Sequence, residues 1–114
     1  MAKSKIPNPL ERRHLIEKEL SPEKSRAIAE AYLEHGRVIE ALEFLQGAEA
    51  EERLAELRRE AIEIGDAFAL RAIGAAMEQA PGRDEWEALA AAASRAGKQL
   101  YAAEATRQAE RGDD

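Results

Sequence analysis

The sequence contains no cysteine, one valine, one threonine and one tryptophan among 114 residues. Without cysteine there is no disulfide framework, no thiolate zinc site and no cysteine nucleophile. Aromatic residues make up only 4% of the chain. The longest apolar run, residues 88–93, is six residues, far short of the ~20 a membrane span needs. The opening MAKSKIPNPL has no apolar stretch of the kind a secretory signal carries. A cytoplasmic protein is the expectation, and the alanine- and arginine-rich composition suggests a bacterial one.

Alanine fills the space left by these absences, at 25 residues. It is the best helix former, and its small side chain lets helices approach closely, so the expected class is all-α. Charged residues are 35% of the chain and the net charge is −6. Within residues 1–18, however, Lys3, Lys5, Arg12, Arg13 and Lys18 stand against Glu11 and Glu17, which makes this stretch +3 and the remainder −9. The chain therefore divides into a basic arm with a first helix, residues 1–20, and a helical domain, residues 21–112.

Helix boundaries follow from capping chemistry. Asn8-Pro9, Ser21-Pro22 and Gly65-Asp66 supply polar N-caps, the first two with proline at the first helical position. Gly36, Gly47, Gly65 and Gly97 stand where helices should end. Seven helices are predicted, near 9–19, 22–35, 38–47, 49–64, 67–80, 84–96 and 98–111. Asp84 is the expected N-cap of the sixth, with Glu87 completing a capping box. The expected buried faces include Leu54, Leu57, Ala61 and Ile64 in the fourth helix, Phe68 and Ile73 in the fifth, and Trp86 and Leu89 in the sixth. Gly74, inside the fifth, marks a close contact or a weak spot.

Three of these glycines are periodic: Gly36 to Gly65 is 29 residues and Gly65 to Gly97 is 32. Around them recur Ser25-x2-Ile28-Ala29-x2-Tyr32-x3-Gly36 with Ala41, Leu45 and Ala48 beyond, and Trp86-x2-Leu89-Ala90-x2-Ala93-x3-Gly97 with Ala102, Thr106 and Ala109 beyond. The middle copy keeps Leu54, Leu57, Ala61 and Gly65 but has Leu70, Gly74 and Met77 where small, large and small residues belong. Over residues 22–110 this resembles the tetratricopeptide repeat, whose period is about 34 residues. No copy has every signature position, and Pro81 alone represents the terminal proline, one residue out of place.

The resemblance implies antiparallel helix hairpins stacked as a short α-solenoid; an irregular bundle or another solenoid family is the alternative. It also implies a concave face lined by the first helix of each pair. Carried over by position, that groove holds Arg26, Glu30, Leu33, Arg59, Ile62, Glu63, Glu87 and Arg95, with another protein or peptide as partner. The lysine and asparagine cluster with which some members clamp a C-terminal carboxylate is missing. The seventh helix leaves Leu100 and Tyr101 uncovered, which predicts self-association through them.

No catalytic constellation, phosphate loop or metal-ligand cluster occurs in the sequence, so neither an enzyme, a cofactor nor a metal is expected. His14 with Glu17 is too small a set for a metal, and both His14 and His35 read as boundary residues. The expected function is a non-catalytic adaptor or scaffold. The alternative is a nucleic-acid or ribosome-associated factor whose basic arm contacts phosphate, although that arm has no interleaved aromatics.

Overall fold

The computed structural model describes residues 6–17 and 20–111 of the chain. Seven α-helices run through them: α1 (Pro9–Glu17), α2 (Pro22–Glu34), α3 (Val38–Gly47), α4 (Glu51–Ile64), α5 (Ala67–Ala76), α6 (Arg83–Arg95) and α7 (Gln99–Arg111). No strand occurs among the described residues, and none of the helices is long and apolar enough to cross a membrane. Lys3, Lys5 and Lys18 of the basic arm lie outside the described residues.

The predicted caps form. Asn8 Oδ1 accepts from the Glu11 amide at 2.8 Å, Ser21 Oγ from Lys24 at 3.3 Å, and Asp66 Oδ1 from Ala69 at 3.0 Å. At α6 only the glutamate half of a capping box forms, and it lies two residues before its expected place. Gly82 is the N-cap, and Glu85 instead of Glu87 turns back to accept from the Gly82 amide at 3.1 Å. Two helix limits also move, for one physical reason. Glu49 and Glu78 adopt left-handed backbone conformations, with φ of 52° and 56°. Glu49 thereby ends α3 instead of opening α4, and Glu78 ends α5 four residues before its expected limit of Ala80.

Five helices end in the same way. After α2, α4 and α6 the left-handed residue is Gly36, Gly65 and Gly97; after α3 and α5 it is Glu49 and Glu78. In each case the next amide bonds back to the carbonyl five residues earlier: Arg37 to Tyr32, Ala50 to Leu45, Asp66 to Ala61, Gln79 to Gly74 and Lys98 to Ala93, at 2.8–3.1 Å. This is the bond that defines a Schellman close. Glycine thus alternates with glutamate along the chain, and Glu49 to Glu78 repeats the 29-residue spacing of Gly36 to Gly65.

The contacts divide the chain into two units, Met1–Leu54 and Ala55–Asp114. The first contains α1 and the α2–α3 hairpin, in which Ala29, Tyr32, Ala41 and Leu45 are wholly buried. The small residues of each helix allow close approach, and the Tyr32 and Phe44 rings stack at 5.9 Å. Arg53 reaches from the first turn of α4 to Glu30 of α2 at 2.9 Å.

In the second unit, α6 and α7 form a hairpin about Gly97, with Leu89, Ala93 and Ala105 wholly buried and Trp86 nearly so. Helix α6 meets the α4 segment at two places: Arg58, midway along α4, bonds Glu85, and Gly65, just past its end, abuts Ala93. Both contacts advance in the same chain direction. Helix α7 likewise pairs with α5 through Arg71 and Glu104. Gly74 is the close contact that the sequence suggests, because a Cβ there would stand 2.7 Å from the Pro81 ring.

Candidate interaction surface

Two expected core residues of the second unit are exposed. Ile64, the last residue of α4, is 55% exposed, and Phe68, in the first turn of α5, is 62% exposed. They flank the Gly65-Asp66 turn, where the chain reverses before either side chain can reach the hairpin interior. Leu100, in the first turn of α7, is 87% exposed and Tyr101 beside it is 39% exposed, as the open face of the seventh helix predicts.

The turns carrying these residues are neighbours. Lys98 Nζ donates to the Ile64 carbonyl at 2.7 Å, which fastens the α6–α7 turn to the end of α4. Arg71 and Glu104, three and four residues beyond Phe68 and Leu100, pair across α5 and α7. Ile64, Phe68, Leu100 and Tyr101 therefore gather at the end of the unit that bears both turns. Clustered exposed apolar side chains of this size mark interaction sites more often than they occur by chance.

Charge around this end is held in place. Glu104 accepts hydrogen bonds from Arg107, Gln108 and Arg71, which hold its carboxyl down to about 2. On the α4–α6 side, Arg58 donates from Nε and Nη2 to Glu85 at 2.6 and 2.7 Å, and from Nη1 to the Gln79 carbonyl at 2.8 Å. The bidentate bond from Arg58 is the main reason the Glu85 carboxyl titrates below its ordinary range.

None of the predicted groove residues is buried, although Glu30, Leu33 and Ile62 are half-buried. In the first unit Arg26, Glu30 and Leu33 share one side of α2, with Glu30 engaged by Arg53. In the second, Arg59 and Glu63 are exposed and Ile62 is half-buried on α4, next to α6 with its exposed Glu87 and Arg95. Glu87 pairs with Arg83 of its own helix at 2.8 Å.

Of the basic arm's described cations, Arg13 pairs with Glu17 at 3.4 Å. The Arg12 guanidinium stands 5.6 Å from the centres of both the Tyr32 and Phe44 rings, and donates to the Glu40 carbonyl at 3.1 Å. Sequence reasoning does not find this arrangement, and the only signal for it is the Arg12-Arg13 pair in an acidic chain. His14 is exposed, and His35 bonds the Ala31 carbonyl through Nδ1 at 2.9 Å. Among the described residues no three histidines or carboxylates converge as metal ligands would.

No family model matches the chain, nor does any curated protein or solved structure. The tetratricopeptide resemblance consequently rests on this chain's own residues.

Proposed function

We propose that the chain is a non-catalytic protein-binding module, an adaptor or scaffold built as a short tetratricopeptide-like solenoid. The observation that carries this reading is the exposed apolar group Ile64, Phe68, Leu100 and Tyr101 at the turn-bearing end of the second unit. Leaving such side chains in water forgoes roughly 1.5–3 kcal/mol of burial for each large one, which a partner recovers by covering them.

Like helices lying side by side support the solenoid, since α4 against α6 and α5 against α7 is the order that successive stacked hairpins produce. The alternation of glycine and glutamate closes, repeating at 29 residues, supports it further. The partner is another protein, or a second copy meeting this one through Leu100 and Tyr101.

Capture by the immobilised full chain, followed by comparison of variants, tests the reading. Proteins retained by the wild type are lost with Phe68→Asp/Leu100→Asp if the apolar end binds them, and with Arg59→Glu/Arg95→Glu if the helical groove does. Retention unchanged in both variants contradicts the proposal.

A further inference from the structure

Helix α1 stands outside the hairpin pairing of the first unit and is held to it by little. None of its nine residues is buried. Only Arg12 and Leu15 are half-buried, three positions apart on one side of the helix. Clefts of about 720 and 540 Å³ open between α1 and the α2–α3 hairpin, one at its start around Ile6, Pro9 and Ile39, the other at its end around Leu15 and Phe44. A helix this short and this little packed does not persist alone in water, so α1 is helical only while it is docked.

One side chain does most of the docking. The Arg12 guanidinium lies over the Tyr32 ring of α2 and the Phe44 ring of α3, 5.6 Å from both centres. Its Nη2 donates to the Glu40 carbonyl at 3.1 Å and stands 3.6 Å from the Glu43 carboxylate. Two aromatic rings, a carbonyl and a carboxylate suit a planar cation with several donors, which a guanidinium is and an ammonium is not. All four groups belong to α2 and α3, so the folded hairpin holds the whole seat without α1.

We infer that this seat is a guanidinium-binding site that α1 fills as a detachable plug. Residues 9–17 release as a unit while the hairpin stays folded, and the vacated seat takes an arginine from a helical segment of another protein. The occupant's chemistry is that of Arg12 itself, with Leu15 one turn beyond it adding an apolar side chain against Phe44. Charge agrees. Outside residues 1–18 the chain carries −9, and Glu40 and Glu43 border the seat, which favours a cationic segment over an acidic one. Docking of α1 is then autoinhibitory, because the tether keeps Arg12 at a high effective concentration that a partner must overcome.

This inference concerns the first unit and does not depend on the apolar end of the second. The test uses the full chain carrying Arg12→Glu, in which a carboxylate set against Glu40 and Glu43 keeps α1 out of the seat. The probe is a capped peptide of residues 6–17, followed by nuclear magnetic resonance. It is expected to shift the amides of Tyr32, Glu40, Glu43 and Phe44 saturably, and to bind about tenfold more weakly when it carries Arg12→Met. The wild-type chain, with its seat filled, is expected to bind the unchanged peptide at least about tenfold more weakly than Arg12→Glu does. Hydrogen exchange of the wild type supplies the second readout: the amides of residues 13–17 are expected to exchange at least about tenfold faster than those of Tyr32 and Leu45. Absence of saturable shifts, equal affinity of the two peptides, or equal affinity of the two chains overturns the site. Exchange at residues 13–17 as slow as at Leu45, or loss of cooperative thermal unfolding in Arg12→Glu, shows α1 to be part of the core and overturns its detachment. None of these outcomes bears on the surface at Phe68 and Leu100.

Discussion

Gly65 abuts Ala93 so closely that a Cβ added to the glycine would stand 2.6 Å from the Ala93 Cα and 2.7 Å from its nitrogen. Both atoms are backbone, so neither can swing aside. Gly36 and Gly97 share the left-handed conformation of Gly65, at 72° and 76°, but have open space where a Cβ would go. Alanine at Gly36 or Gly97 should therefore cost only the conformational strain, roughly 1–2 kcal/mol. At Gly65 the strain is joined by an overpacking cost of about 1–3 kcal/mol. Urea denaturation of the three variants should place Gly65→Ala clearly below the other two.

The reverse experiment applies at the glutamate closes. Glu78 occupies a left-handed conformation that glycine adopts freely, so Glu78→Gly should relieve about 1–2 kcal/mol of strain. Against this stands the ~0.5–1 kcal/mol of entropy that glycine loses on folding. The expected net change is a stabilisation of up to about 1.5 kcal/mol, read as a rise in melting temperature. Glu49→Gly should behave in the same way.

The Arg58–Glu85 pair makes stability depend on pH. Hydrogen bonding from Arg58 lowers the folded-state pKa of Glu85 below the ordinary 4.5 that it regains on unfolding. The pair's contribution is consequently complete above that ordinary value, and is lost as pH falls through the lower, folded-state value. Arg58→Met should cost roughly 1.5–3 kcal/mol at pH 7, because the half-buried glutamate loses a charged partner. The cost should shrink on acidification. Glu104, half-buried and bonded by Arg107, Gln108 and Arg71, should titrate near 2 in the wild type and move back up in Arg107→Ala, followed by its side-chain carbonyl resonance.

Exposure predicts how the apolar end responds to charge. Phe68→Asp and Leu100→Asp bury nothing new and leave no cavity, so each should change stability by less than ~0.5 kcal/mol. Any concentration-dependent increase in mass seen by light scattering for the wild type should disappear in the double variant.

Much of the fold is legible in the sequence because its helix ends are chemically explicit. Asn8, Ser21 and Asp66 cap as their side chains dictate, and Gly36, Gly65 and Gly97 close helices in the one conformation that favours glycine. The misread limits trace to Glu49 and Glu78, because nothing local marks a glutamate for a left-handed backbone. Burial is less legible. Periodicity places Ile64 and Phe68 on apolar faces, but both flank a reversal of the chain, and helical spacing carries no information about where a face ends.

Of the candidate site, Leu100 and Tyr101 are readable because they are the only large apolar residues in a helix otherwise made of small and polar ones. The Arg12, Tyr32 and Phe44 cluster is not readable, since its members are 20 and 12 residues apart and on three different helices. Arg58 and Glu85, 27 residues apart, are hidden for the same reason: each resembles any other charge on an exposed helix until α4 and α6 are seen together.

Hydrogen exchange of the full chain, measured with and without a protein it captures, reports whether the apolar end is the surface that binds. Slower exchange is expected at residues 64–68 and 98–104 in the complex. Protection confined to other segments, with these turns exchanging as in the free chain, would contradict this expectation.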